Sequence, residues 1–296
     1  MYKNKINFIA EIGCNHQGDF DLAKKYIDVA SQNDIKIVKF QKRNNKYLLK
    51  ENYFLKHPVP ENSFGINYGE HRDYLEFNLK EHKQLKKYCE KRKILYSTSV
   101  WDKISAKEIS SLNPKFIKIP SARNLDFDIY KILFKFFKGE IHVSLGMTTK
   151  KETKKIFDFF KKNKKEKKLV FYCCTSSYPT KSNDTCYLEL LNIFKQYGKK
   201  ISSIGYSGHH KGVAIDNAIY CLGMFCEKIL KLGKFRYLER HFTLDRTLKG
   251  TDHAASLEPQ GIKRLLRDLT NTRDGFSFKK KDILDEEVPI KKKLKY

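Results

Sequence analysis

Apolar residues along this chain fall into two alternating patterns. Nearly continuous apolar runs of strand length occur at 7–13 (NFIAEIG), 36–41, 94–100, 116–121, 140–146, 169–176, 202–208 and 235–243. Runs of that length and continuity suit strands buried on both faces. Between them lie amphipathic segments at 19–33, 79–92, 103–112, 125–137, 149–162, 185–198, 213–233 and 257–273. The first opens with Asp19 and brings Leu22, Tyr26, Val29 and Ala30 to one face, as a helix requires. Strand followed by helix, eight times over, demands a parallel sheet. Eight such units predict an α/β fold of the (β/α)8 TIM-barrel type, in a single domain, rather than an open doubly wound sheet. The absence of G-x-G-x-x-G after the first strand also argues against the open alternative.

Two regions break the rhythm. Residues 43–78 form a long insertion after the second strand, with His57, Pro58, Pro60 and several aromatic residues. An insertion of this length reads as a functional lid or a disordered loop. Residues 274–296 are charged, show no helical period, and are expected to wrap the barrel surface or stay mobile. The domain reading is thus a barrel over 1–273, with a lid-like insertion at 43–78 and a charged tail over 274–296.

Composition changes this picture little. The net charge of +26 invites a nucleic-acid reading, but the lysines are spread over helix faces, as in KKNKKEKK at 161–168. We expect no nucleic-acid partner and only a mild attraction for anionic substrates. No apolar run is long enough to span a membrane, so no membrane partner is expected. The N-terminus lacks a signal-peptide pattern. The seven cysteines are odd in number and scattered, which suits a reduced, cytoplasmic protein.

Chemistry in such a barrel sits at the C-terminal ends of the strands. Strand one ends in Glu11, then Cys14, Asn15 and His16. Strand two carries Lys39 and Gln41, strand three Ser97, Thr98 and Ser99, and strand four Lys118 and Ser121. Strand five carries Ser144, strand six leads to Ser176 and Tyr178, and strand seven ends in Ser207, His209 and His210. Strand eight ends in Glu239, Arg240 and His241. Any one of these serines reads singly as a satisfied core group; the set does not. A buried lysine or glutamate needs a partner or a task. Two lysines amid hydroxyls make an anion cradle. His209 and His241 close adjacent strands, so their imidazoles can converge at the mouth and suit Mn, Fe, Co or Zn, with His210 as a rival ligand.

Several segments together resemble the sialic-acid (N-acylneuraminate) synthase family: FIAEIGCNHQGDFDLAKKYIDVA, VKFQK, YSTSV, IKIPS, VSLGMTT, YCCTSSYPT, YSGHH and ERHFTLDRTLKGTDHAASLEP. The match runs in order from residue 8 to about 260. The resemblance implies condensation of phosphoenolpyruvate with an N-acylmannosamine-type sugar aldehyde, giving a nonulosonic acid and phosphate. By the same resemblance His209 and His241 hold a divalent metal, Mn2+ before Mg2+ or Co2+. Lys39, Thr98, Lys118, Ser121, Ser144, Ser176 and Ser207 fall where phosphoenolpyruvate is held. Gln41, Tyr178 and Asp252 fall where the amino-sugar is held, with Glu11 and Asp252 assigned to catalysis. A homodimer is compatible with the family.

Three departures stand out. Arg123 occupies a position where the family commonly has an acid, Ser176 replaces a common Asn, and no antifreeze-like domain follows the barrel. Only Arg246 or the lysine-rich tail is available for the arginine which that domain lends to the sugar site. Asp252 has an alternative role as a loop ion-pair partner of Lys249. The competing readings are a related synthase with another acceptor, such as a pentose phosphate, a non-catalytic binding barrel, and a basic nucleic-acid binder.

Overall fold

Eight parallel strands close into one barrel in chain order, in a computed structural model that describes residues 6–295. They are β1 (Asn7–Gly13), β2 (Ile37–Lys42), β3 (Leu95–Val100), β4 (Phe116–Ile119), β5 (Glu140–Ser144), β6 (Leu169–Cys174), β7 (Ser203–Gly208) and β8 (Phe235–His241). β1 pairs with both β2 and β8, so the sheet has no open edge. The crossover helices are α1 (Phe20–Gln32), α4 (Leu79–Lys91), α5 (Lys103–Leu112), α6 (Phe127–Phe136), α7 (Lys150–Lys162), α8 (Glu189–Tyr197), α9 (Ala214–Met224) and α10 (Pro259–Gly275), and two shorter helices, α2 (Asn45–Leu49) and α3 (Tyr68–Tyr74), lie in the 43–78 insertion. The expected barrel is therefore present. The largest boundary differences are in the sixth segment, whose helix starts at Glu189, and the seventh, where α9 passes into a π-turn at Phe225–Ile229.

The helices start where short polar side chains cap them. Asp19 accepts the backbone N–H of Asp21 and Leu22 at the start of α1. Asn78 with Glu81, and Thr149 with Glu152, form reciprocal capping boxes on α4 and α7. The outward strand faces and the helix stripes make the larger core. Inside the barrel, Ile9, Ile37, Phe116, Val170, Tyr172 and Tyr237 form a second cluster that fills the floor. Apolar packing below leaves the upper interior positions free for polar chemistry.

The insertion is ordered rather than irregular. It contains α2 (Asn45–Leu49), two 3-10 turns (Lys50–Phe54 and Pro60–Asn62) and α3 (Tyr68–Tyr74). Its two ends are tied by Glu76, which accepts the Arg43 backbone N–H and the guanidiniums of Arg43 and Arg72. Its far side meets the loop after β8: Asn62 accepts the Gly250 N–H at 3.1 Å, and the Lys249 ammonium lies 4.8 Å from the Phe64 ring centre.

The tail departs from expectation. α10 runs on to Gly275, and a further helix, α11 (Glu287–Leu294), forms beyond it. Glu287 in its first turn and Lys291–Lys293 in its last suit the helix dipole, which a search for an apolar period misses. Residues 277–295 are all exposed, so this segment does not wrap the barrel. Among the described residues no helix is long and apolar enough to cross a membrane.

One buried cluster fixes the β7–α9 loop that carries His209. Arg240, on the outer face of β8, donates to the carbonyls of His210 and Gly212 and pairs with Asp216 of α9. His210 lies 3.3 Å from Asp216 through Nε2 and 3.2 Å from the Tyr206 hydroxyl through Nδ1. Both ring nitrogens of His210 are thus occupied away from the barrel mouth, and it is no rival to His209. Because removing one partner strands a buried guanidinium, Asp216→Ala should cost about 3–5 kcal/mol in denaturant unfolding. A loss below about 1 kcal/mol, the range of an exposed pair, would show that the cluster does not anchor the loop.

Candidate active site

Strand alternation decides which polar residues enter the barrel. Glu11 is in register with Lys39 on one side and His241 on the other. Ser99 is opposite Lys118, and Ser207 opposite Glu239. These side chains converge above the apolar floor. Lys39 contacts Glu11 directly, donates to Ser99 Oγ at 2.6 Å, and lies 3.7 Å from Glu239. Lys118 lies 2.5 Å from Glu239 Oε1 and 3.3 Å from Ser207 Oγ. Ser207 donates to the same Glu239 oxygen at 3.0 Å, and Gln41 donates to Glu11 at 3.0 Å. All four charged groups are buried.

Electrostatics follow from this sharing. Burial opposes the Glu239 charge, but Lys118 and Lys39 outweigh it and hold the carboxyl well below its ordinary value of 4.5. Burial also pulls Lys118 down, with Lys39 adding repulsion, while Glu239 works in the opposite direction. Lys118 is thus a cation supported largely by one carboxylate that it shares.

A cavity of about 340 Å³ opens above this cluster. On one side, Ser121, Ser144, Cys174 and Ser176 line it. Gly146 backs this wall: a Cβ there would meet Ser176 Oγ at 2.2 Å and Ser121 Oγ at 2.7 Å. The missing side chain leaves a ring of short donors sized for a small anion.

On the other side stand the two histidines, ring centres 5.4 Å apart. His209 Nδ1 bonds the Thr175 carbonyl at 2.8 Å, which directs its proton there and leaves Nε2 as a lone-pair donor. Burial, reinforced by His241, pushes His209 down to about 3, so the ring is neutral. His241 Nδ1 is buried without a hydrogen-bond partner and lies 3.8 Å from Asp252. Two imidazoles with unclaimed nitrogens fit a borderline divalent cation. Among the described residues no third His, Cys, Asp or Glu completes a cluster, so such a cation would keep positions for small ligands. The Tyr178 ring lies over His209 at 4.2 Å.

The structure gathers Glu11, Lys39, Gln41, Lys118, Ser121, Ser144, Ser176, Tyr178, Ser207, His209, His241 and Asp252 around this one cavity. It does not gather Thr98. That side chain falls on the outer face of β3, where its hydroxyl donates to Tyr96 at 2.5 Å. The period-two alternation gives the inward place to Ser99, which sequence reading placed only among the strand-three hydroxyls. Asp252 makes no ion pair with Lys249. Burial raises its carboxyl, but His241 and Arg43 outweigh this and hold it below the usual range. Arg123 turns out of the cavity to pair with Asp126, the N-cap of α6. Arg246 is spent within its own loop, donating to the Ala254 carbonyl.

Sequence reading also passed over Glu239, the shared counter-charge. Its signal was present in the alternation Tyr237, Glu239, His241, which puts an acid between a floor residue and a mouth histidine. Arg43 and Arg72, two of the basic residues that the insertion offers a phosphorylated acceptor, reach the cavity.

Comparisons with known proteins agree with this geometry. Residues 26–281 match the NeuB family. The chain is 35% identical over 268 residues to an N-acetylneuraminate-9-phosphate synthase of Drosophila melanogaster, covering 90% of this chain and 68% of that protein. It is 33% identical over 267 residues to an N,N'-diacetyllegionaminic acid synthase of Campylobacter jejuni, covering 88% and 74%. A solved structure of N-acetylneuraminic acid (sialic acid) synthetase from Leptospira borgpetersenii, in complex with citrate, superposes with a TM-score of 0.77 at 25% identity, covering 98% of this chain and 93% of that one.

Glu239 has a pH signature. A carboxyl held low in the fold stabilises it above its ordinary value, and that contribution is lost as pH falls below about 4.5. Glu239→Gln should therefore be less stable than the parent at pH 7, with the gap closing as pH drops below 4.5. A constant gap across that range would show that Glu239 is not the ionised partner of the two lysines.

Proposed function

The chain belongs to the NeuB family and is a phosphoenolpyruvate-dependent synthase of nonulosonic acids, and on that premise we propose that its acceptor is an N-acylmannosamine-type aldehyde and that the cavity divides the two substrates. The observation that carries this reading is the juxtaposition, in one cavity, of the Lys39–Glu11 and Lys118–Glu239 pairs with the His209–His241 pair.

Phosphoenolpyruvate takes the lysine side. Its anionic groups meet Lys39, Lys118 and the hydroxyls around Gly146, where charge-assisted bonds are strongest. Asp252, Gln41 and Tyr178 flank the histidines and hold the open-chain sugar with its aldehyde toward C3 of phosphoenolpyruvate. His209 and His241 would hold a divalent cation, Mn2+ by the family and the donor set, which would supply Lewis acidity toward a carbonyl oxygen. The new bond joins C3 to the aldehyde carbon, and positive charge develops at C2. Glu11, bonded to Gln41 and Lys39, faces this centre to offset the charge and orient the water that adds there. Cleavage of the C2–O bond releases phosphate, with Lys39 and Lys118 carrying its charge. All seven cysteines are free thiols, which suits a reducing, cytoplasmic setting.

The acceptor has a second form that one observation favours. The Drosophila relative is named for a 9-phosphate product and the Campylobacter relative is not. At the outer mouth Arg72, paired with Glu76, and Lys249, which makes no ion pair among the described residues, both line the cavity. Both are placed to receive a phosphate on the far end of the sugar. Assay of N-acetylmannosamine with and without a 6-phosphate, reading product mass, separates the two forms. Comparable turnover of pentose phosphates would overturn the amino-sugar assignment altogether.

Two variants test the division of labour by phosphate release. His241→Ala should lose both stoichiometric Mn2+ binding and turnover; full activity after chelation would end the metal assignment. Glu11→Gln should lower kcat by about 10²–10⁴ while leaving KM for phosphoenolpyruvate within about threefold. A change in KM alone would make Glu11 a binding group.

A further inference from the structure

Beneath the two lysines stands a buried polar column that the condensation leaves unused. The Lys118 ammonium lies 4.3 Å from the centre of the Tyr172 ring. Tyr172 is fully buried, and its hydroxyl lies 2.9 Å from His142 Nδ1. The His142 ring stacks on Phe116 with centres 4.0 Å apart and planes 4° from parallel, and its Nε2 faces Glu140 at 3.7 Å. Glu140 is itself held by the hydroxyls of Tyr237 at 2.6 Å and Ser202 at 2.5 Å. Burial pushes His142 down to about 4, so the ring is neutral. With its proton on Nε2, toward Glu140, Nδ1 accepts the Tyr172 hydroxyl. Nε2 then faces the Glu140 carboxylate beyond hydrogen-bond distance, an electrostatic rather than a hydrogen-bonded contact.

The column solves a problem that the site creates. Lys118 is buried, and its carboxylate is shared with Lys39. An aliphatic floor would leave the underside of the ammonium facing hydrocarbon, at a large desolvation cost. An aromatic face offers a negative quadrupole instead, worth most when water is excluded. It also blocks the lysine from sinking away from the cavity.

We infer that Tyr172 is a positioning residue, whose ring, fixed from below by His142 and Glu140, holds the Lys118 ammonium at the height where it meets the incoming anion. This rests on the reading that the lysine side of the cavity takes phosphoenolpyruvate. The ring face does the positioning, and the hydroxyl and His142 keep the ring in place. Phenylalanine therefore preserves most of the effect, whereas an aliphatic side chain of similar volume removes it.

The test compares Tyr172→Phe with Tyr172→Met and Tyr172→Leu in the whole chain. It reads phosphoenolpyruvate affinity by calorimetry, KM for each substrate, and the thermal midpoint. Tyr172→Met, or Tyr172→Leu if the former does not fold, should weaken phosphoenolpyruvate binding about tenfold or more, leaving KM for the acceptor within about twofold. Tyr172→Phe should stay within about threefold of the parent for both substrates, even though its thermal midpoint falls with the lost hydrogen bond. Equal losses in the Phe and Met variants, or parallel shifts in both substrate constants, would mean that Tyr172 merely packs the floor. Unchanged phosphoenolpyruvate affinity in Tyr172→Met and Tyr172→Leu would overturn the inference while leaving the substrate assignment intact. Absence of phosphoenolpyruvate binding by the parent protein would remove the assignment and the inference together.

Discussion

The site depends on one carboxylate serving two cations. Glu239 lies within ion-pair distance of both Lys118 and Lys39, and Glu11 is the second partner of Lys39. Two lysines and two glutamates let the barrel interior tolerate charge that would otherwise be prohibitive to bury. Such pairs are poor sources of stability, so their presence in the barrel interior points to use. Because Lys118 has no carboxylate of its own, an arriving phosphate or carboxylate adds an acceptor to a cation that is short of one. The hydroxyls of Ser99 and Ser207 bridge the same groups and let the charges redistribute without moving the strands.

The histidines add the second half of the chemistry by the same economy of position. Glu11 and His241 are register partners on adjacent strands, so the reacting centre and the proposed cation site are one residue pair apart. His209 is set by a different device, the buried Arg240–Asp216 cluster behind its loop. The insertion and the loop after β8 then meet over the mouth through Asn62–Gly250 and Lys249–Phe64. A floor of fixed charges beneath a roof of loops is what a reaction needs if water is to be limited at the carbon that it must reach once.

Much of this was legible in the sequence because the barrel imposes two simple periods. Apolar runs marked the strands, and polar residues at strand ends marked the mouth, which brought twelve predicted residues to one cavity. Thr98 failed because a run of three hydroxyl residues on β3 does not reveal its own parity; the register with Lys39 and Gln41 does. Glu239 was visible but unassigned, since a sequence does not say which cation a buried acid serves. Arg72 reaches the mouth from the short α3 and Lys249 from the loop after β8, neither long enough in regular structure for a period to be read. The helix at Glu287–Leu294 escaped notice because end charges, rather than an apolar stripe, distinguish it.

The most direct measurement is a crystal structure of the chain with Mn2+ and phosphoenolpyruvate bound. The account predicts the metal on Nε2 of His209 and a ring nitrogen of His241, with the phosphate or carboxylate of phosphoenolpyruvate within hydrogen-bond distance of both Lys39 and Lys118 and against Gly146. Metal bound elsewhere, or phosphoenolpyruvate seated on Arg72 and Lys249 at the outer mouth with the lysine–glutamate cluster undisturbed, would contradict it.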